Sequence, residues 1–78
     1  MPAWVSGESS DRSARGRDVA VVDLSDHGVG FRDGRGDYHI GATHWLIVNG
    51  TSRLSTRIRI VSCRRNESGG YDVGAVFF

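Results

Sequence analysis

The sequence predicts an all-β fold, a small antiparallel barrel of five to six strands, and three observations carry that expectation. Short β-branched segments alternate apolar and polar residues, turn residues separate them at short intervals, and no window of helical length carries a 3.6-residue apolar period. Closure is expected from size. A chain of 78 residues buries only roughly 60% of its unfolded surface, and an open sheet that small would leave unpaired edges it has nothing to cover with.

Residues 1–18 are expected to be a flexible or partial N-terminal segment preceding a barrel domain at 19–78. Trp4-Val5 is a short apolar island, either a frayed end or the remnant of a strand that starts before this chain. The polar Ser- and Arg-rich stretch 6–18 offers nothing to a core and is expected as a loop or tail. Val19-Ala20-Val21-Val22 is the first clear strand and ends in a polar turn, Asp23 to Gly28. Val29-Gly30-Phe31-Arg32 restarts a strand, which Asp33-Gly34-Arg35-Gly36-Asp37 breaks.

Thr43 to Val48 is an apolar strand with Trp45 expected in the core. It stops at Asn49-Gly50, whose residues tolerate the positive φ of a type I′ hairpin turn. Ser52 to Arg65 has the clearest alternation, with Leu54, Ile58 and Ile60 on one face and Arg57, Arg59 and Val61 on the other. Asn66 to Gly70 is a turn. Tyr71 to Phe78 is the last strand, with Val73, Ala75 and Phe77 on one side.

Bulk composition excludes several classes. The net charge of +1 is too balanced for a general nucleic-acid binder. No apolar run is long enough to span a membrane as a helix. One cysteine, Cys63, allows no intrachain disulfide and fits a reducing cytoplasm, where the sequons at Asn49 and Asn66 would be chance matches. All ten basic residues are arginine, so each cationic contact is a planar guanidinium, suited to phosphate or a guanine edge.

The segment Asp23-Leu24-Ser25-Asp26-His27-Gly28, between the apolar run 19–22 and Val29-Gly30-Phe31, resembles the (Asp/Asn)-x-Ser-x-x-Gly element of PilZ domains, bacterial receptors for cyclic di-GMP. The downstream order of elements is similar to that family's layout: Ile40-Gly41 before a strand, a long strand ending Arg57-Ile58-Arg59-Ile60-Val61, a Gly-Gly turn, and a closing Tyr71-Asp72-Val73-Gly74-Ala75-Val76-Phe77. The resemblance covers residues 19–78. It implies a PilZ-like split barrel, a non-enzymatic cytoplasmic signalling module, cyclic di-GMP as regulatory ligand rather than cofactor, and a protein partner or adjoining domain that receives the signal. Asp23, Ser25 and Gly28 are the implied ligand-binding residues. Chemically, a carboxylate at Asp23 accepts the N1–H and N2–H₂ edge of guanine, the Ser25 hydroxyl adds a donor or acceptor, and Gly28 lets backbone approach a planar base. The other reading of the same turn is that Asp23 and Ser25 cap it through their own backbone.

Receptors of that family also carry Arg-x-x-x-Arg a full strand upstream, where the arginines grip phosphate and the guanine O6/N7 edge. Here the upstream arginines are Arg12, Arg15 and Arg17, spaced three and two. Three readings stay open: a truncated domain, a member that has given up the nucleotide and serves as a protein-interaction adaptor, or one that uses Arg12, Arg15 or Arg17 as substitutes. A small barrel binding single-stranded nucleic acid is a weaker reading, at odds with the near-neutral charge.

Other constellations are bland. Adjacent Ser25, Asp26 and His27 point apart on extended backbone and form no catalytic relay. His27, His39 and His44 lack metal-ligand spacing and are expected at the surface. Arg57 and Arg59, with Arg64-Arg65, form a basic outer stripe, expected to be a solvated face before it is a phosphate- or partner-contacting one.

Overall fold

Alternation resolves into six strands: β1 (Pro2–Ser6), β2 (Gly16–Leu24), β3 (Gly28–Asp33), β4 (Thr43–Asn49), β5 (Arg53–Arg65) and β6 (Tyr71–Phe77). In this computed structural model the described residues are 1–7, 16–49 and 53–78. All neighbours pair antiparallel in the order β1-β2-β3-β6-β5-β4, and β4 pairs back onto β1 to close the barrel. The expected small antiparallel barrel is therefore the fold. Among the described residues no helix is long and apolar enough to cross a membrane.

Period-2 burial explains the core. Val19 and Val21 on β2, Val29 and Phe31 on β3, Ile58 and Ile60 on β5, and Val73 and Ala75 on β6 point inward, while the residues between them face out. Phe31, Leu46, Ile58 and Ile60 are fully buried. Tyr38, from the β3–β4 connection, plugs one end of the barrel with its ring edge-on to Phe31 at 5.4 Å between centroids.

Three expectations are revised. First, residues 2–6 and 16–18 are strand, not a segment apart from the barrel. Ala3 and Val5 are core residues, and β1 bridges β2 and β4. Second, Trp45 is only half-buried and faces outward, stacked with the Arg57 guanidinium at 6.0 Å. Third, His44 is a core residue, 5% exposed, and not a surface histidine. The last two have one cause. Leu46 and Val48 fix the inward parity of β4, and His44 shares it while Trp45 and Ile47 do not. The His44 ring accepts this position because Nδ1 lies 2.8 Å from the Ser6 carbonyl and the ring tilts against Tyr38. His27 and His39 are exposed as expected. The Asn49-Gly50 signal marks the β4–β5 hairpin, but not as the expected type I′ turn: Asn49 is the last residue of β4, paired with Arg53 and without positive φ, and Gly50 lies outside the described residues.

Two irregularities in register shape the outer surface. Pairing shifts between Val21 and Asp23 on β2, and again between Ile60 and Ser62 on β5. Each extra residue bends its strand and raises local twist, which helps a short sheet to close. The bulges also leave the valines Val22 and Val61 on the outside, 55% and 50% exposed.

Candidate functional site

The segment singled out in the sequence is the β2–β3 hairpin. β2 carries Asp23 and Leu24, and β3 begins at Gly28, so the turn proper is Ser25 to His27. The Ser25 amide donates to the Gly28 carbonyl at 3.0 Å, and the Ser25 Oγ accepts from the amides of Gly28 at 3.3 Å and His27 at 3.4 Å. Ser25 therefore caps the turn, as the backbone-capping reading expected. Gly28 has a structural reason of its own: a Cβ there would overlap the Ala75 carbonyl oxygen on β6. Its missing side chain lets β3 and β6 approach whether or not a ligand is present. Asp23 is different, because its carboxylate is exposed at the end of β2.

Cross-strand register shows what Asp23 faces. Asp23 lies opposite Gly30, Gly30 opposite Gly74, and Gly74 opposite Ser62, giving one continuous row over β2, β3, β6 and β5. All four positions have outward parity, and the middle two have no side chain. The result is a furrow with a backbone floor, walled by Asp23 on one side and Ser62 on the other. Adjacent strands lie ~4.8 Å apart, so the backbones that carry the two walls stand up to roughly 14 Å from each other. The Ser62 Oγ leans over the Gly74 end, 2.6 Å from where a Cβ on Gly74 would sit, while the Gly30 end is the open part of the floor. Two shallow grooves of about 340 and 330 Å³ meet on this floor, and both are lined by Gly30 and Gly74. Asp23, Ser25 and Gly28 line the first. Val61 and Val76 make its apolar border, 50% and 38% exposed.

One row further along, Arg32 lies opposite Asp72 and Asp72 opposite Arg64. Arg32 Nε pairs with Asp72 Oδ1 at 3.2 Å, and the Asn66 amide donates to the same oxygen at 3.2 Å. The furrow thus has an apolar border on one side and a charged row on the other.

Of the upstream arginines, Arg12 and Arg15 lie outside the described residues. The structure does not bring Arg17 to Asp23. Six residues along one strand separate them, ~20 Å at an ordinary strand rise, and Arg17 is committed elsewhere. Its guanidinium hydrogen-bonds and ion-pairs with both Asp33 and Asp37, and it lies 4.8 Å over the Tyr38 ring. The Tyr38 hydroxyl donates to Asp33 at 2.6 Å. Burial, then this hydrogen bond, pushes the Tyr38 phenol above its ordinary range, while the hydrogen bond from Arg17 holds the exposed Asp37 carboxyl below its own. This network, which sequence reasoning missed, closes the barrel end around Tyr38. Its only signal was the Asp33…Asp37-Tyr38 spacing, too short and loop-like to read as an arginine clasp. At that end a recess of about 680 Å³ is lined by Arg17, Asp37, Tyr38 and His44.

The basic stripe is also partly spent. The guanidinium groups of Arg57 and Arg59 both lie 4.9 Å from the Phe78 ring. No group of three or more His, Cys, Asp or Glu among the described residues is placed to hold a metal ion. Compared with protein families, curated proteins and solved structures, the chain matches none.

Proposed function

We propose that this domain is a non-enzymatic, PilZ-like signalling module that binds a guanine nucleotide, cyclic di-GMP, in the outer furrow and relays the bound state to a partner. The observation that carries this reading is the row Asp23–Gly30–Gly74–Ser62. It sets an exposed carboxylate beside a bare backbone floor. A guanine lying over Gly30, with the Ser62 hydroxyl at its far edge, presents its N1–H and N2–H₂ donors edge-on to Asp23, whose two oxygens accept both. Val61 and Val76 then cover part of the ring. Within the Asp-x-Ser-x-x-Gly element the roles divide: Asp23 recognises, Ser25 shapes the turn, and Gly28 lets β3 sit against β6.

Calorimetric titration of cyclic di-GMP into the full chain tests the proposal. Saturable binding to wild type that is lost in Asp23→Ala supports it, and the variant will fold because Asp23 is exposed. No heat at high micromolar protein overturns it.

A second reading, a protein-interaction adaptor that no longer binds the nucleotide, is favoured by Val22, Val61 and Val76, which leave an apolar border exposed around the furrow. Under that reading the titration is silent, and charged substitutions at Val61 or Val76 abolish capture of a protein partner.

A further inference from the structure

Nucleotide binding needs a cation for phosphate, and neither bulk charge nor the expected upstream arginines supply one at the furrow. Arg17 is held by Asp33 and Asp37 at the barrel end. Arg57 and Arg59 stack on Phe78. Arg32 is paired with Asp72. Arg64 is exposed and, among the described residues, has no ion-pair partner, because its cross-strand neighbour Asp72 is already engaged by Arg32 and Asn66. It also lines the groove that shares the Gly30–Gly74 floor with the Asp23 groove.

We infer that Arg64 on β5 is the phosphate anchor of this site, so that the nucleotide is gripped from the C-terminal half of the chain. The inference rests on the nucleotide reading proposed above. Its geometry is set by the sheet. The β5 bulge brings Ser62 opposite Gly74 and keeps Arg64 on the outer face, two residues and ~7 Å along the strand from the row that holds the base. A ribose spans that offset, so a base on the glycines places its phosphate beside the Arg64 guanidinium, which binds two phosphate oxygens at once. Had β5 run without the bulge, Arg64 would have inward parity.

Titrations of guanosine, GMP and cyclic di-GMP into the full chain, at low and high salt, test this with Arg64→Gln and Arg65→Gln. Both variants lose one positive charge from adjacent exposed positions, and matching thermal melts will establish that both fold. Arg64→Gln is expected to weaken cyclic di-GMP and GMP about ten- to hundred-fold, to leave guanosine unchanged, and to flatten the salt dependence. Arg65→Gln is expected to bind as wild type. Unchanged cyclic di-GMP affinity in Arg64→Gln overturns the inference while the nucleotide reading stands. So does an equal loss in Arg65→Gln, which would mark a bulk charge effect. So, too, does a loss in Arg12→Gln/Arg15→Gln with Arg64→Gln intact, which would put the phosphate on the β1–β2 connection. Absence of any binding to wild type overturns the nucleotide reading and this inference together.

Discussion

Replacing Gly30 by valine separates the furrow from the fold. A Cβ at Gly30 meets Asp23 Cβ at 3.5 Å, Val22 Cγ2 at 3.9 Å and the Val73 carbonyl at 4.0 Å, all ordinary contacts. The position is mid-strand with outward parity, opposite Asp23 and Gly74. A β-branched residue there removes the entropic cost of glycine, about 0.5–1 kcal/mol, and suits a pleated surface. For a domain of this size that corresponds to a rise in melting temperature of roughly 2–8 °C. The two valine methyls stand on the floor where the base would lie, so the same change is expected to weaken cyclic di-GMP at least ten-fold. Circular-dichroism melts and calorimetric titration measure the two effects on one sample. A variant that melts at or above the wild-type temperature and binds normally would refute the furrow as the site. A variant that unfolds would refute the register that places Gly30 on the outside.

The remaining expectations concern the frame around the furrow. Gly28→Ala drives a methyl into the Ala75 carbonyl; it should destabilise by about 1–3 kcal/mol, seen as an earlier urea midpoint, and a neutral result would contradict the β3–β6 pairing. Phe31→Ala empties a fully buried site at the centre of the core; a loss of about 3–5 kcal/mol should lower the melting temperature, read by circular dichroism, by roughly 12 °C or more. Tyr38 titrates above its unfolded value because burial and the bond to Asp33 favour the neutral phenol. Its contribution to stability is therefore complete below about pH 10 and is lost as pH rises through the folded value. Melting temperature should fall across that alkaline window, and Tyr38→Phe should remove most of the slope.

Much of this fold was legible because local and global signals agree. Val19/Val21, Ile58/Ile60 and Val73/Ala75 alternate in sequence and all point inward, and the Asn49-Gly50 signal stands where β4 ends before pairing with β5. Where legibility failed, a non-local choice overrode local character. Hydrophobicity favours Trp45 over His44 for the core, but a strand has one parity, and Leu46 and Val48 decide it. β1 was obscure because its partners, β2 and β4, lie across a long polar stretch and two further strands, so nothing near Trp4-Val5 announces the pairing. The site was half legible. Asp23 stood out as a motif residue, whereas Gly30, Gly74 and Ser62 acquire meaning only through register, and that register depends on two bulges that leave no mark in the sequence. Arg17 illustrates the converse. Its proximity to Asp23 in sequence suggested a shared site, and an extended strand carries it to the opposite end of the barrel.

Amide chemical-shift mapping during a cyclic di-GMP titration tests the central claim most directly, because it reports which face of the barrel the ligand touches. The furrow account predicts that the perturbed amides trace Asp23, Gly30, Gly74, Ser62 and Arg64 across four strands, with Val5, His44 and Tyr38 at the barrel end unmoved. Shifts centred on the barrel-end recess, or no shifts at saturating ligand, would contradict it.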